Sequence, residues 1–219
     1  MYPLVLLAAL TASSWGQTNL WIGLTNTTTA QYWTNTSNWA LGSVPNSTTA
    51  VANFNVDLQS NLTLALGLSG PVTNPSPVNI TNNGIMFTDI GSGTDNTLLI
   101  GDTGDTLNYF VFAGTNPFVS NNNTITMRTN IRFQNGTLIK TGSGTLHLDT
   151  ETIIGEGDGV WQNILGGTLV FGGGSAPPWI DWTAINKTNG GGNLQLQRIT
   201  DFDENFELVT WLPTNYNVG

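Results

Sequence analysis

The chain has 219 residues, and 39% of them are apolar, enough to bury a sizeable core; only 9% are charged, against roughly 25% in an average globular protein. Five basic and fourteen acidic residues give a net charge of −9, which excludes the basic stripe of a nucleic-acid groove and any attraction to an anionic membrane surface. The absence of cysteine excludes a disulfide framework, a zinc–thiolate site and a thiol nucleophile.

The polar surface must therefore be built from Asn, Thr, Ser and Gly, which crowd the sequence in runs such as TNTTTA, NSTTA and SNNNTIT. These residues compete with helical backbone or carry an entropic cost in it. Thr together with Val, Ile, Phe and Trp favours strands, and Gly and Asn favour the turns between them. The expected class is all-β.

In chain order, MYPLVLLAALTASSWGQ comes first: an apolar run from Pro3 to Leu10, then small residues. It resembles a secretory signal with cleavage near Ser14 or Gly16, although it lacks the usual leading Lys or Arg. An apolar β-forming arm is the other reading. The run is too short for a membrane span. Residues 1–17 are thus set apart from a single β-rich domain over 18–219. That domain divides softly into a Trp-, Asn- and Thr-rich segment, 18–78, and a denser strand region, 79–219.

Apolar triplets then recur between turn signals: IMF at 85–87, LLI at 98–100, FVF at 110–112, ITM at 125–127, IRF at 131–133, LHL at 146–148, LVF at 169–171 and LQL at 194–196. Alternation such as Leu146/Leu148 and Leu194/Leu196 predicts strands with one buried face. Gly/Asn/Asp clusters (NNG, GSGTDN, GDTGD, GEGDG) separate them, and the loop GGGSAPPWIDW cannot lie in a central strand. The triplets are unevenly spaced, so a strict hexapeptide or nonapeptide repeat is excluded. An irregular solenoid and a sandwich or jelly-roll-like fold remain open.

Candidate chemistry is sparse. Lys140 precedes Gly142 and Gly144 and a strand follows, the wrong order and the wrong element for a phosphate loop. His147, the single histidine, has Ser143 and Asp149 nearby in sequence, but triad members must converge in space. On a strand, His147 and Asp149 share the face opposite Leu146 and Leu148, so a surface histidine is expected and no catalytic residue is assigned. One His and no Cys leave only oxygen ligands for a metal, hence Ca²⁺ at best. The acidic turns that offer them are Asp102/Asp105, Glu156/Asp158 and Asp201/Asp203/Asn205. None matches a calcium-loop pattern, so no metal or other cofactor is expected. A carboxylate pair for glycoside hydrolysis is not specified by any motif. Trp161, Trp179 and Trp182 are candidates for stacking on sugars, although most Trp in β proteins fills a core or anchors a turn. N-x-[ST] sequons fall at Asn26, Asn35, Asn46, Asn61, Asn79, Asn122, Asn135 and Asn186, candidate glycosylation sites in a secreting host.

NGTLIKTGSGTLHL resembles the autotransporter-associated β-strand repeat of bacterial surface proteins. The pattern is roughly G-x-L-x-K-x-G-x-G-x-L-x-L, and Gly136, Leu138, Lys140, Gly142, Gly144, Leu146 and Leu148 all fit it. GGTLVFGGG, 166–174, is similar to the short strand that follows in such proteins. YWTNTSNWALGSVPNSTTAVANF is similar to the segment that opens these passengers, at Trp33, Asn38-Trp39, Pro45 and Phe54. The chain departs from the family in carrying the K-x-G-x-G unit once.

The resemblance implies a secreted, right-handed parallel β-solenoid displayed at a cell surface, usually without catalysis. The resulting expectation is a non-catalytic extracellular structural protein that self-assembles through strand edges or ends into a filament, sheath or matrix. A carbohydrate-binding adhesin, with glycans as partners, is the alternative; a glycan-active β-helix enzyme is the third. Neither nucleic acid nor a membrane span is expected.

Overall fold

The computed structural model describes residues 17–25, 29–67, 78–91, 96–101, 108–134, 137–150, 152–155, 161–172, 179–180, 188–189, 193–197, 199–202, 208–211 and 214–217, with side chains as far as Gly172 apart from 137, 152–155 and 161–163. Every apolar triplet singled out in the sequence lies in a strand.

One sheet runs through β2 (Gln31–Tyr32), β4 (Leu62–Ala65), β6 (Leu98–Ile100), β9 (Ile125–Met127), β12 (Thr145–Leu148), β15 (Thr168–Gly172) and β18 (Asn193–Gln197). These strands are parallel, and β21 (Thr214–Asn217) adds antiparallel to β18. The other sheet starts with β1 (Thr18–Leu20), β3 (Ser47–Val56) and β5 (Asn79–Asp89), also parallel. β5 is eleven residues long and is shared between two continuations. Its first half pairs with β7 (Tyr109–Ala113), followed by β10 (Asn130–Gln134), β13 (Thr152–Gly155) and β16 (Trp179–Ile180). Its second half pairs with β8 (Phe118–Asn121), followed by β11 (Thr137–Thr141), β14 (Trp161–Ile164) and β17 (Thr188–Asn189). A separate antiparallel pair joins β19 (Ile199–Phe202) to β20 (Leu208–Trp211). The single 3-10 turn among the described residues, Thr36–Asn38, is capped by the Asn35 side chain accepting from the Ser37 N–H.

The fold is thus all-β, with two sheets of mainly parallel strands. Jelly rolls and immunoglobulin-type sandwiches are built from antiparallel sheets, so the sandwich alternative does not describe this pairing. β3 pairs with β5, which places the 18–78 and 79–219 segments in one sheet.

Parallel register stacks each inward side chain on its equivalent in the next strand. In the first sheet one ladder is Leu62, Leu98, Ile125, Leu146, Leu169 and another is Leu64, Ile100, Met127, Leu148, Phe171. Each of these side chains is at most 1% exposed. Opposite them, Ile80, Phe110 and Ile131 form one row and Asn82, Phe112 and Phe133 another. The Phe112 and Phe133 rings stack at 5.6 Å. At the β1–β3 end of the stack Trp21, Trp33 and Trp39 fill the interior, all buried. Trp33 and Trp39 lie 5.1 Å apart, and Trp33 also meets Phe54 and Phe110. Two of the indole N–H groups are satisfied within the chain, Trp39 Nε1 donating to the Trp33 carbonyl at 2.8 Å and Trp33 Nε1 to the Pro45 carbonyl at 3.3 Å, whereas the buried Trp21 Nε1 has no hydrogen-bond partner. Of the tryptophans with described side chains, these three are core, the role most Trp in β proteins take.

Because a ladder position has fixed neighbours above and below, truncation there leaves a void that the sheet cannot collapse to fill. Leu146→Ala is expected to lower the unfolding free energy by about 2–5 kcal/mol with an unchanged denaturant slope. Ser143→Ala, on the exposed turn before β12, is expected to stay within about 0.5 kcal/mol. Urea denaturation of both variants checks this.

Candidate functional site

Lys140 occupies an inward position of β11, beside buried Leu138. Its ladder reads Ala52, Ile85, Val119, Lys140, Ile164, so a lysine stands in an otherwise apolar row. The side chain is fully buried. Its ammonium donates to the Thr141 carbonyl at 2.8 Å and to those of Gly142 and Gly166 at 3.3 Å. These carbonyls belong to the turn after β11 and to the equivalent turn after β14. The lysine therefore ties two successive corners together from inside.

The glycines of the motif follow from the same corner. A Cβ on Gly142, whose φ is +80°, would lie 2.3 Å from the Asn121 carbonyl oxygen, and one on Gly144 would lie 2.2 Å from that of Asn123. One on Gly167, φ +68°, would lie 2.2 Å from the Gly144 oxygen. Corner backbone rests directly on corner backbone, and the Gly144 N–H donates to the Asn121 carbonyl at 2.9 Å. The K-x-G-x-G spacing thus has a local reason: glycines admit the close approach, and the lysine supplies protons to carbonyls turned away from water. On β8, the parallel neighbour of β11, Asn121, 1% exposed, does the equivalent work. Its Nδ2 donates to the Asn123 and Thr145 carbonyls. Sequence reading did not single out Asn121; its place at the head of the NNNT run, 121–124, is the one local signal.

The residues once considered for chemistry are distributed differently. Leu146 and Leu148 point inward, while His147 is half-buried and its Nε2 meets the Gly172 carbonyl. Asp149 Oδ2 accepts from Arg128 Nε at 3.2 Å. Ser143 lies on an exposed turn. The histidine and the carboxylate are each engaged elsewhere, and no hydrogen-bonded relay among the three is formed. Among the described residues no group of three His, Asp or Glu converges. The acidic turns at Asp102/Asp105, Glu156/Asp158 and Asp203/Asn205 lie outside the described residues, as does the side chain of Asp201. So do the side chains of Trp161 and Trp179, and Trp182 altogether.

Five sequon asparagines are described, Asn35, Asn46, Asn61, Asn79 and Asn122, and all are exposed. Asn26, Asn135 and Asn186 lie outside the described residues. At Asn46 and Asn61 the side-chain oxygen accepts a backbone N–H, from Thr81 at 2.7 Å and Thr97 at 2.9 Å. The local backbone is thereby fixed with the side chain on the outer surface.

A concave surface of about 710 Å³ opens on the outer face of β3, β5 and β8. Val51, Met86 and Phe118 supply its apolar part, and Thr48, Asn83 and Asn116 lie among its polar lining. Among the described residues lining it, none is ionisable. Met86 is 38% exposed, and the Phe118 ring lies across Gly84: a Cβ there would meet three consecutive ring carbons at 2.4, 2.6 and 2.7 Å.

No family model matches the chain, and no curated protein or solved structure matches it either.

Two outcomes are expected from this geometry. Burial lowers the Lys140 pKa from 10.5 to about 8. Below pH 8 the lysine is protonated in both folded and unfolded chains, and above 10.5 it is neutral in both. Between these limits the unfolded chain holds a proton that the folded chain does not, so stability rises with pH across the window and is lost as pH falls through 8. The full effect is about 3 kcal/mol. The stability difference between wild type and Lys140→Met, followed by denaturation from pH 7 to 10.5, should shift toward the wild type by that order; a flat difference would refute the burial cost. Separately, expression through a eukaryotic secretory route should add glycan mass that an amidase specific for N-linked glycans removes. Replacing Asn35, Asn46, Asn61, Asn79 and Asn122 with Gln should lower the intact mass stepwise.

Proposed function

We propose that this chain is an irregular right-handed parallel β-solenoid and an extracellular structural protein of the passenger type, self-assembling and non-catalytic. The observation that carries the reading is the pairing rule. From β6 to β15 each strand pairs in parallel with the strand three places later, as in β7–β10–β13–β16 and β6–β9–β12–β15–β18. A chain that returns every third strand to the same face is winding in coils of three strands. The long β3 and β5, of ten and eleven residues, each bend across two faces that later coils divide between two strands. Right-handedness is the general preference of parallel crossover connections.

The corner around Lys140 supports the resemblance to the autotransporter-associated repeat, because it supplies a physical need for K, G and G at that spacing. A secreted, surface-displayed location rests on that resemblance and on the signal-like leader. No helix among the described residues is long and apolar enough to cross a membrane.

Assembly is favoured by the composition of the outer surface. Sheet edges are ordinarily protected by charge, and here 9% of residues are charged. Neutral Asn and Thr rows offer hydrogen bonds to a neighbouring copy with little repulsion. Negative-stain microscopy and sedimentation of secreted protein should show filaments or sheets that grow with concentration. Dispersed monomers at the highest attainable concentration would sink the proposal.

A further inference from the structure

We propose that the concave outer face over Val51, Met86 and Phe118 binds an uncharged oligosaccharide. The proposal is independent of self-assembly and rests on the chemistry of this surface.

It lies where the pairing of β3 and β5 is irregular: the register between these strands shifts between Ser47 and Val51, and Thr48, Thr49 and Val51 line the concavity. Beside this irregularity Gly114, φ +119°, packs so closely that a Cβ would lie 2.3 Å from Asn83 Oδ1 and 2.6 Å from the Thr48 carbonyl. The wall is therefore held by backbone contact. About 710 Å³ falls within the range of small-ligand sites, roughly 300–1,000 Å³, and suits a short oligosaccharide better than a single sugar.

The lining selects the ligand class. Among the described residues that line it none is ionisable, so they offer nothing to neutralise a phosphate, a carboxylate or an ammonium, and burying an unpaired charge against them would be costly. Thr and Ser hydroxyls and Asn carboxamides each donate and accept, which matches a polyhydroxylated ligand whose own groups do both.

The aromatic geometry completes the match. A virtual Cβ on Gly84 sits almost directly over one Phe118 ring carbon, with its two ring neighbours only slightly farther away. An edge-on ring would place those neighbours much farther off. Phe118 thus covers Gly84 with one face of its ring and turns the other face outward. Gly84 is required for this, since any side chain there would lift the ring from the sheet. An outward aromatic face beside exposed Met86 is a platform for the apolar C–H face of a sugar ring, while the Thr and Asn groups around it reach the hydroxyls.

The test is titration of the folded, non-glycosylated protein with neutral cello-, malto-, manno- and chito-hexaoses. Charged oligogalacturonate serves as the counter-probe, and heat and NMR shifts are recorded. At least one neutral hexaose should bind, with affinity unchanged between 50 mM and 500 mM salt. Phe118→Tyr should retain binding. Phe118→Leu, which still covers Gly84 but removes the ring, should weaken it about tenfold or more. The exposed-turn variant Thr115→Ala/Asn116→Ala should weaken it without changing the unfolding midpoint. Absence of binding by every neutral hexaose at millimolar concentration, tighter binding of oligogalacturonate, or equal binding by wild type and Phe118→Leu overturns the proposal. If Phe118→Leu alters sedimentation while leaving sugar affinity unchanged, the surface is a contact between copies and the proposal is likewise overturned. Filament formation by these variants, scored separately, tests self-assembly on its own.

Discussion

The structure depends on stacking: each inward side chain rests on the equivalent side chain of the next parallel strand. Parallel pairing fixes strands about 4.8 Å apart, so an inward row is a column of van der Waals contacts with no slack along the stack. Leu146 between Ile125 and Leu169 is such a contact. A column of this kind tolerates aliphatic and aromatic members of differing size, as Leu64, Ile100, Met127, Leu148 and Phe171 do. It does not tolerate a slip of one residue, which would turn every apolar side chain outward.

The corners are the harder problem for such a stack. Where the chain leaves one sheet for the other, its carbonyls lose their ladder partners and still lie inside. Here the donors come from side chains placed in the core, Asn121 on β8 and Lys140 on the neighbouring β11. The lysine is the costlier solution because an ammonium must be desolvated, which is why its pKa falls to about 8. It also reaches farther, spanning from the Thr141 turn to Gly166. The glycines then follow as a consequence of corner backbones resting on one another.

The outer surface obeys a different rule. With so few charges, shape and hydrogen-bonding capacity carry whatever recognition the protein performs, and salt has little to screen. The exposed sequon asparagines and the neutral concavity at Phe118 are both expressions of that surface. The concavity lies where the register between the two long strands β3 and β5 shifts.

Much of this was legible in the chain. Period-two alternation at Leu146/Leu148 or in FVF at 110–112 specifies strands and their buried faces from local residues alone, and the scarcity of helix formers specifies the class. The G-x-L-x-K-x-G-x-G-x-L-x-L spacing marked the corner as unusual, and the lack of charge fixed the character of the surface. Which strand neighbours which was not legible, because the spacing of parallel partners ranges from that of Ile125 and Leu146 to that of Leu62 and Leu98, and the uneven loops hide any period. The inward turn of Lys140, the part played by Asn121, the gathering of Trp21, Trp33 and Trp39, and the seating of Phe118 on Gly84 all require that pairing first. Sequence determined the alternation, the turns and the uncharged surface, since these are properties of neighbouring residues; only the tertiary structure decided what each inward or outward side chain meets, since those contacts are made between strands far apart in the chain.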